Sequence, residues 1–209
     1  MDAYTETMVV VEYHLFDEYT TAWGDSRAAF FDTAYGTYTP HMIFDGSIDA
    51  GSDPYTFKGF YLDRQQVATD VTIASEVYAA GNWCQVESTV CLESGGTPGT
   101  VRVFTVQLLD HYPAQWGYSR NTFQQAAPVH EVDLEAGSCV ELASQLTLDA
   151  IAASALEQVK IVVWVQEAVD AAPADIRQSV EAAWPFAGAF RDGFESGDTS
   201  AWSSATLRP

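Results

Sequence analysis

Glu12 and His14 close the apolar run "MVVVEYHL", and His41 follows Pro40 in "AYGTYTPHMIFDG" at 34–46. Imidazole nitrogens beside a carboxylate suit zinc, so His14 and His41 with Glu12 or Asp17 are one candidate site, within a wider candidate metal set of His14, His41, Asp45, Asp49 and Asp53. The loop "DGSIDAGSD" places oxygen side chains at Asp45, Ser47, Asp49 and Asp53, the alternation used by hard cations such as calcium. It is no EF-hand: Ala50 stands where that loop requires glycine and Thr56 where the bidentate glutamate belongs. A solvated turn rich in Asx residues explains the same composition. The expectation is no cofactor, with calcium or zinc at these residues as the alternative. His111 and His130 are more isolated.

Glu12, Asp45 and Asp49 are also the candidates for an acid/base pair in a hydrolase, a glycosidase included, since such enzymes need two carboxyl groups at a definite separation. No Gly-x-Ser-x-Gly elbow, phosphate loop or dinucleotide fingerprint occurs. The chain has three cysteines. Cys84 and Cys91 in "NWCQVESTVC" could be bridged by a bent strand pair, which leaves Cys139 alone; three small buried thiols are the other reading. Trp83, Tyr112, Trp116 and Tyr118 are candidates for stacking on a glycan or anchoring a protein partner. Trp164, inside "IVVWVQ", reads as core.

These residues need elements to hold them. "MVVVEYHL" reads as a strand covered on both faces. A helix follows, with Asp25 or Ser26 as cap, Ala28, Ala29, Phe30, Phe31 and Ala34 at helical spacing, and Gly36 as stop. Pro40 opens a short strand that ends in a tight reversal at Asp45-Gly46. A second helix is expected from Phe60 to about Thr69. Beyond Val71 the texture changes to six short runs, "VTIASEVYAAG", "CQVESTVCLES", "TVRVFTVQLLD", "VHEVDL", "CVELASQLTL" and "VKIVVWVQEA". Their partial alternation and the turn signals between them argue for an antiparallel β-sandwich.

At 209 residues the chain can bury a working core. Asp and Glu number 29 against 9 Lys and Arg, a formal charge of -20, which disfavours nucleic acid and anionic membrane surfaces as partners. No run of 18 apolar residues is present to span a bilayer, and the opening residues lack the basic and apolar regions of a signal peptide.

"VVVEYH", the helix with its Arg-Ala-aromatic core and "YGTYTPHMIFDG" resemble the second half of the thioredoxin-like domain in Omp28-related bacterial envelope proteins. "YSRNTFQQAAP", "VDLEAGSCVELASQLTLD" and "VKIVVWVQEA" followed by "IRQSVEAAW" resemble the immunoglobulin-like module that follows it there. The likeness covers roughly residues 8–184. It implies an α+β protein: an incomplete thioredoxin-like α/β domain over 1–70, an antiparallel immunoglobulin-like β-sandwich over 71–186, and a Gly/Ser/Asp-rich tail over 187–209.

The resemblance further implies a cis proline at Pro40, beside the place of a redox dithiol. No Cys-x-x-Cys occurs, so it implies a chain that begins inside the fold, after the strand and helix that would carry the cysteines. The missing strand would leave an open sheet edge, hence the expectation of a homo-oligomer paired through that edge. The functional expectation is a non-catalytic, exported binding or assembly protein of the bacterial envelope, in the periplasm, at the surface or outside, with a protein or glycan ligand. The alternative is an enzyme, either a fragment of a thiol-disulfide oxidoreductase or the carboxylate hydrolase above.

Overall fold

The computed structural model describes residues 8–17, 19–36, 38–110, 112–114 and 117–184. Its centre is a five-stranded antiparallel sheet. Strand β5 (Gly99–Leu109) lies between β11 (Val159–Glu167) on one side and β8 (Thr122–Ala126) and β9 (His130–Leu134) on the other, with β12 (Ile176–Ala183) outside β11. A three-stranded antiparallel sheet, in the order β10 (Cys139–Thr147), β4 (Trp83–Leu92), β3 (Val71–Ala80), covers one face. The remaining β-elements are the short hairpin β6 (Tyr112–Ala114) and β7 (Gly117–Ser119), and a separate hairpin of β1 (Met42–Phe44) and β2 (Ile48–Gly51). The α-helices are α1 (Ala22–Tyr35), α2 (Pro54–Arg64) and the single turn α3 (Ala150–Ser154). The protein is thus α+β and mostly antiparallel sheet.

Alternation along β4 builds the sandwich core. Cys84, Val86, Ser88, Val90 and Leu92 point inward, while Gln85, Glu87, Thr89 and Cys91 point out. They meet Val101, Val103, Val159, Ile161, Val163 and Val165 from the central sheet. The opposite face of that sheet carries Phe104, Val106, Leu108, Val162 and Trp164, which form a second cluster. Burial on both faces is why "VRVF" and "VKIVVWV" read as nearly unbroken apolar runs.

What covers the second face is the beginning of the chain. Val9, Val11 and Tyr13, two residues apart along an extended segment, pack there with Trp23 of α1. Trp23 stacks on Phe123 with centroids 4.7 Å apart and meets the edge of Trp164 at 6.4 Å; Phe104 stacks on Trp164 at 4.8 Å. Such pairs contribute about 0.5–1.5 kcal/mol each beyond the area they bury. The first run is therefore not the sheet strand its composition suggests. Among the described residues it makes one parallel bridge, Glu12 to Thr122, with backbone hydrogen bonds to the rim of β8.

Helix α1 starts one turn before the expected caps. Thr21 Oγ1 accepts from the Gly24 amide at 3.0 Å, and Gly36 ends the helix at φ 78°. The expected second helix also shifts toward the N-terminus. Asp53 caps α2 by accepting from the Tyr55 amide at 3.0 Å and Pro54 fills the first helical position, a start signal that the Asp-rich loop concealed. The Thr39–Pro40 peptide is cis, and so is Ala172–Pro173. Residues 185–209, including the expected tail, lie outside the described residues.

Two contacts lock the amino-terminal layer onto the sandwich. Arg27 on α1 donates from Nη2 to Gln166 Oε1 on β11 at 2.9 Å, and Gln166 Nε2 donates to the Ala174 carbonyl at 3.0 Å. The β1–β2 turn, with Asp45 at φ 46° and Gly46 at φ 74°, accepts backbone hydrogen bonds from the same loop: Ala174 N donates to Gly46 O at 3.2 Å and Ile176 N to Asp45 O at 2.8 Å. A Cβ on Gly46 would lie 2.2 Å from the Ala174 oxygen, whereas one on Gly81, also at positive φ, would meet nothing within 4 Å. Gly81→Ala should cost roughly 1–2 kcal/mol from backbone conformation alone. Gly46→Ala should cost clearly more in urea denaturation, with the loss of tryptophan burial at α1; equal costs would contradict the docking described.

Candidate functional site

The structure distributes the expected site residues over several structural tasks. Asp45 pairs with Arg64 of α2, whose Nε donates to Oδ2 at 2.6 Å. Asp49 accepts from His41 Nε2 at 2.9 Å and from the Gly51 amide at 2.8 Å, and these bonds, the histidine's first, hold its carboxyl below the usual range. Asp53 caps α2. His41 stacks on Tyr38, centroids 4.1 Å apart, one residue beyond the cis proline.

His14 belongs to a different group. Its Nδ1 lies 2.7 Å from Asp17 Oδ2, and its Nε2 lies 3.9 Å from Glu12 Oε1. Although nearly half of its side-chain surface is open, packing around Glu12 raises its carboxyl and His14 pulls it back down. The Asp17 carboxyl moves the other way: partial desolvation is outweighed by the hydrogen bonds from His14 and from the backbone of Tyr19 and Thr20. The expected metal set of His14, His41, Asp45, Asp49 and Asp53 is therefore not assembled. Among the described residues no three His, Cys, Asp or Glu side chains converge to hold a metal ion. The hydrolase candidates fare similarly, since Asp45 and Asp49 are each committed to a basic partner and Glu12 sits with His14 instead.

The cysteines require a correction. Cys84 and Cys91 lie on the same strand, β4, where seven residues of extended chain span about 23 Å. Their odd separation also turns them to opposite faces. Cys91 instead faces Cys139 directly across the β4–β10 ladder and is bonded to it, with Cα atoms 4.0 Å apart and S–S 2.03 Å. Closing a loop of 48 residues contributes about 4 kcal/mol on the chain-entropy account. Cys84 is free and buried in the sandwich core, and burial pushes its thiol up to about 11.

Of the other candidates, His130 lies 3.2 Å from Ser144 Oγ between the sheets, and Trp83 opens β4. Tyr112 and Tyr118 belong to the β6–β7 hairpin, and His111 and Trp116 lie outside the described residues. Trp164 is core, 4 % exposed. Sequence reasoning passed over Arg27, the most unusual polar residue of the layer junction. It lies 8 % exposed within 4.6–5.8 Å of the ring centroids of Phe30, Phe104, Phe31 and Trp23. A signal existed in the sequence: an arginine with aromatics four residues before it and three and four after it shares one helix face with all of them.

An antiparallel two-sheet sandwich with an α/β layer on its outer face defines the class of protein. No family model matches the chain, and no curated protein matches it. Among solved structures it is similar to HBP35 of Porphyromonas gingivalis, with a TM-score of 0.68 at 12% identity over 88% of this chain. The chain spans 65% of the length of that structure, just under two thirds. At such identity the likeness is one of fold. A domain of the outer membrane lipoprotein Omp28 from the same organism matches at TM-score 0.36 and 13% identity, over 54% of this chain and 93% of that domain. A β-glucosidase from Kluyveromyces marxianus matches at TM-score 0.33 and 13% identity, over 60% of this chain and 17% of the enzyme. Likenesses that slight bear no weight.

Two measurements follow from the cysteines. In the native protein Cys84 should resist a thiol reagent, one thiol should appear in denaturant, and three after reduction. Because the folded thiol ionises near 11 and an unfolded one near about 8.5, the unfolded chain loses its proton first. Stability should fall as pH rises from about 8.5 to 11, by at most about 1.4 kcal/mol per pH unit. Urea midpoints of Cys84→Ala should lack that component. Cys139→Ser should lower stability by about 2–4 kcal/mol, and an unchanged midpoint would refute the pairing.

Proposed function

We propose that this chain is a non-catalytic, exported binding or assembly protein of the bacterial envelope. The observation that carries the reading is the state of its cysteines: two form a cross-strand disulfide and the third is a buried, un-ionised thiol. Disulfides of this kind persist in oxidising compartments outside the cytoplasm. Thiol exchange needs an accessible thiolate, and neither arrangement supplies one.

The fold shared with HBP35 of Porphyromonas gingivalis fits this architecture. In this reading the helix, proline-led strand, hairpin partner and second helix before residue 70 are an α/β unit of thioredoxin-like descent without its dithiol. The sheets between residues 71 and 183 are an immunoglobulin-like sandwich. The β1–β2 hairpin pairs with no further strand among the described residues, so its outer edges are the place for a second copy to add a strand. Partners are then another copy of the chain and a protein or glycan ligand.

The protein should fail to accelerate reduction of insulin by dithiothreitol above the uncatalysed rate. Robust turnover that disappears in Cys91→Ser or Cys84→Ala would overturn the reading. Light scattering at micromolar concentration should give at least a dimer, and substituting Ile43→Pro on the open edge should shift it toward monomer. A monomeric parent protein would remove the assembly half of the proposal.

A further inference from the structure

A cavity of about 330 Å³ opens between α1 and the exposed end of the central sheet. Its walls include Arg27, Phe30, Phe104, Val129 and Val169, with Arg102 and Gln166 on β5 and β11. Two guanidinium groups in one small cavity of a chain with formal charge -20 call for an explanation.

The two arginines differ in their partners. Arg102 is saturated: it donates to Glu131 at 2.9 Å, to Asp170 at 2.9 Å and to the Val169 carbonyl at 2.6 Å, and the two carboxylates raise its pKa. Arg27 has no carboxylate within ion-pair distance among the described residues. Among the described residues its Nη2 donates to the neutral amide of Gln166, the neutral Tyr13 phenol lies within hydrogen-bonding reach, and its Nε is buried without a partner. Burial lowers its pKa and so does the charge of Arg102, while the neighbouring Tyr13 pulls the other way. Tyr13 is no counter-ion, because burial pushes its phenol up to about 12. Glu167, the carboxylate on the cavity rim, is exposed and lies 3.4 Å from the Asp175 amide outside it.

A buried guanidinium without an anion is costly, and ring faces offset only part of that cost. We propose that the cavity is a binding site for a small organic carboxylate with an apolar body, whose carboxylate pairs with Arg27 while its body lies against Phe30, Phe104 and Val129. A planar guanidinium on the cavity wall with no carboxylate partner among the described residues suits a carboxylate, and a volume at the lower end of the small-ligand range suits an acid of one ring or a short chain. The cavity lies away from the β1–β2 edge, so a failure of ligand binding leaves the strand-edge oligomer standing.

The test uses the whole chain with phenylacetate as probe and phenylacetamide as its neutral counterpart, titrated by calorimetry with ligand-observed NMR as a check. Phenylacetate should bind with a Kd of about 1 mM or tighter, and the amide at least tenfold more weakly. Val129→Trp, at a position 40 % exposed on the cavity rim, should block binding with the far-ultraviolet circular dichroism and melting temperature unchanged. Should that variant fold poorly, Val169→Trp, 37 % exposed at the same rim, serves the same purpose. Arg27→Met should bind acid and amide alike. No binding at 10-fold the expected Kd, equal binding of acid and amide by the parent protein, or binding that survives a filled rim in a folded variant would each overturn the assignment.

Discussion

Everything in this protein depends on the central sheet being covered on both faces. A sheet whose strands carry Val103, Val163 and Val165 on one side and Phe104, Val162 and Trp164 on the other exposes apolar surface until two separate layers are in place. The sandwich partner β3–β4–β10 supplies one layer. The other comes from the first helix and an extended amino-terminal segment, which explains why that segment keeps a strand-like pattern of apolar residues without belonging to a ladder. The polar joint of Arg27, Gln166 and Ala174 then fixes how that layer sits, because a buried guanidinium tolerates few alternative positions.

Much of the sandwich was legible because alternation is a local property. The runs beginning at Val71, Cys84, Thr100, Val129, Cys139 and Val159 became strands with boundaries within a few residues of the reading. Strands β8 and β12, and the β6–β7 hairpin, were not, since "TFQQA" and "IRQSVEAA" mix polar residues on both faces at sheet edges and carry little period. The first run was misread for a tertiary reason: burial against a sheet face and pairing within a sheet leave the same apolar signature. The cysteine pairing failed because register between β4 and β10 is set by residues far apart in the chain, and sequence spacing holds no information about it. Candidate carboxylates in the Asp-rich loop were real features of the sequence whose tasks, a helix cap, an amide acceptor and an arginine partner, are visible only in three dimensions.

Charge is distributed with the same economy. Acidic residues dominate the composition, yet the few cations among the described residues are concentrated at joints between elements. Arg64 ties α2 to the β1–β2 turn, Arg102 gathers Glu131 and Asp170, Lys160 lies between Asp110 and Glu181, and Arg177 of β12 joins Asp70 just before β3. The hydrogen bonds from Arg177 and from the Thr97 amide hold the Asp70 carboxyl below its usual range. Dissolved salt screens the dispersed surface repulsion more effectively than these part-buried pairs, so the acidic surface and the cationic joints respond differently to the medium.

The joint between α1 and β11 also ties an early segment of the chain to a much later one. Arg27 and Gln166 are 139 residues apart, and the other docking residues, Val162, Trp164 and Ala174, are equally late. A ribosome adding about 5–20 residues per second needs about 7–28 s to make that interval. Throughout it the aromatic face of the first helix has been synthesised and its platform has not. A nascent chain of this design spends that time with Trp23 of the first helix uncovered by the sheet it later packs on.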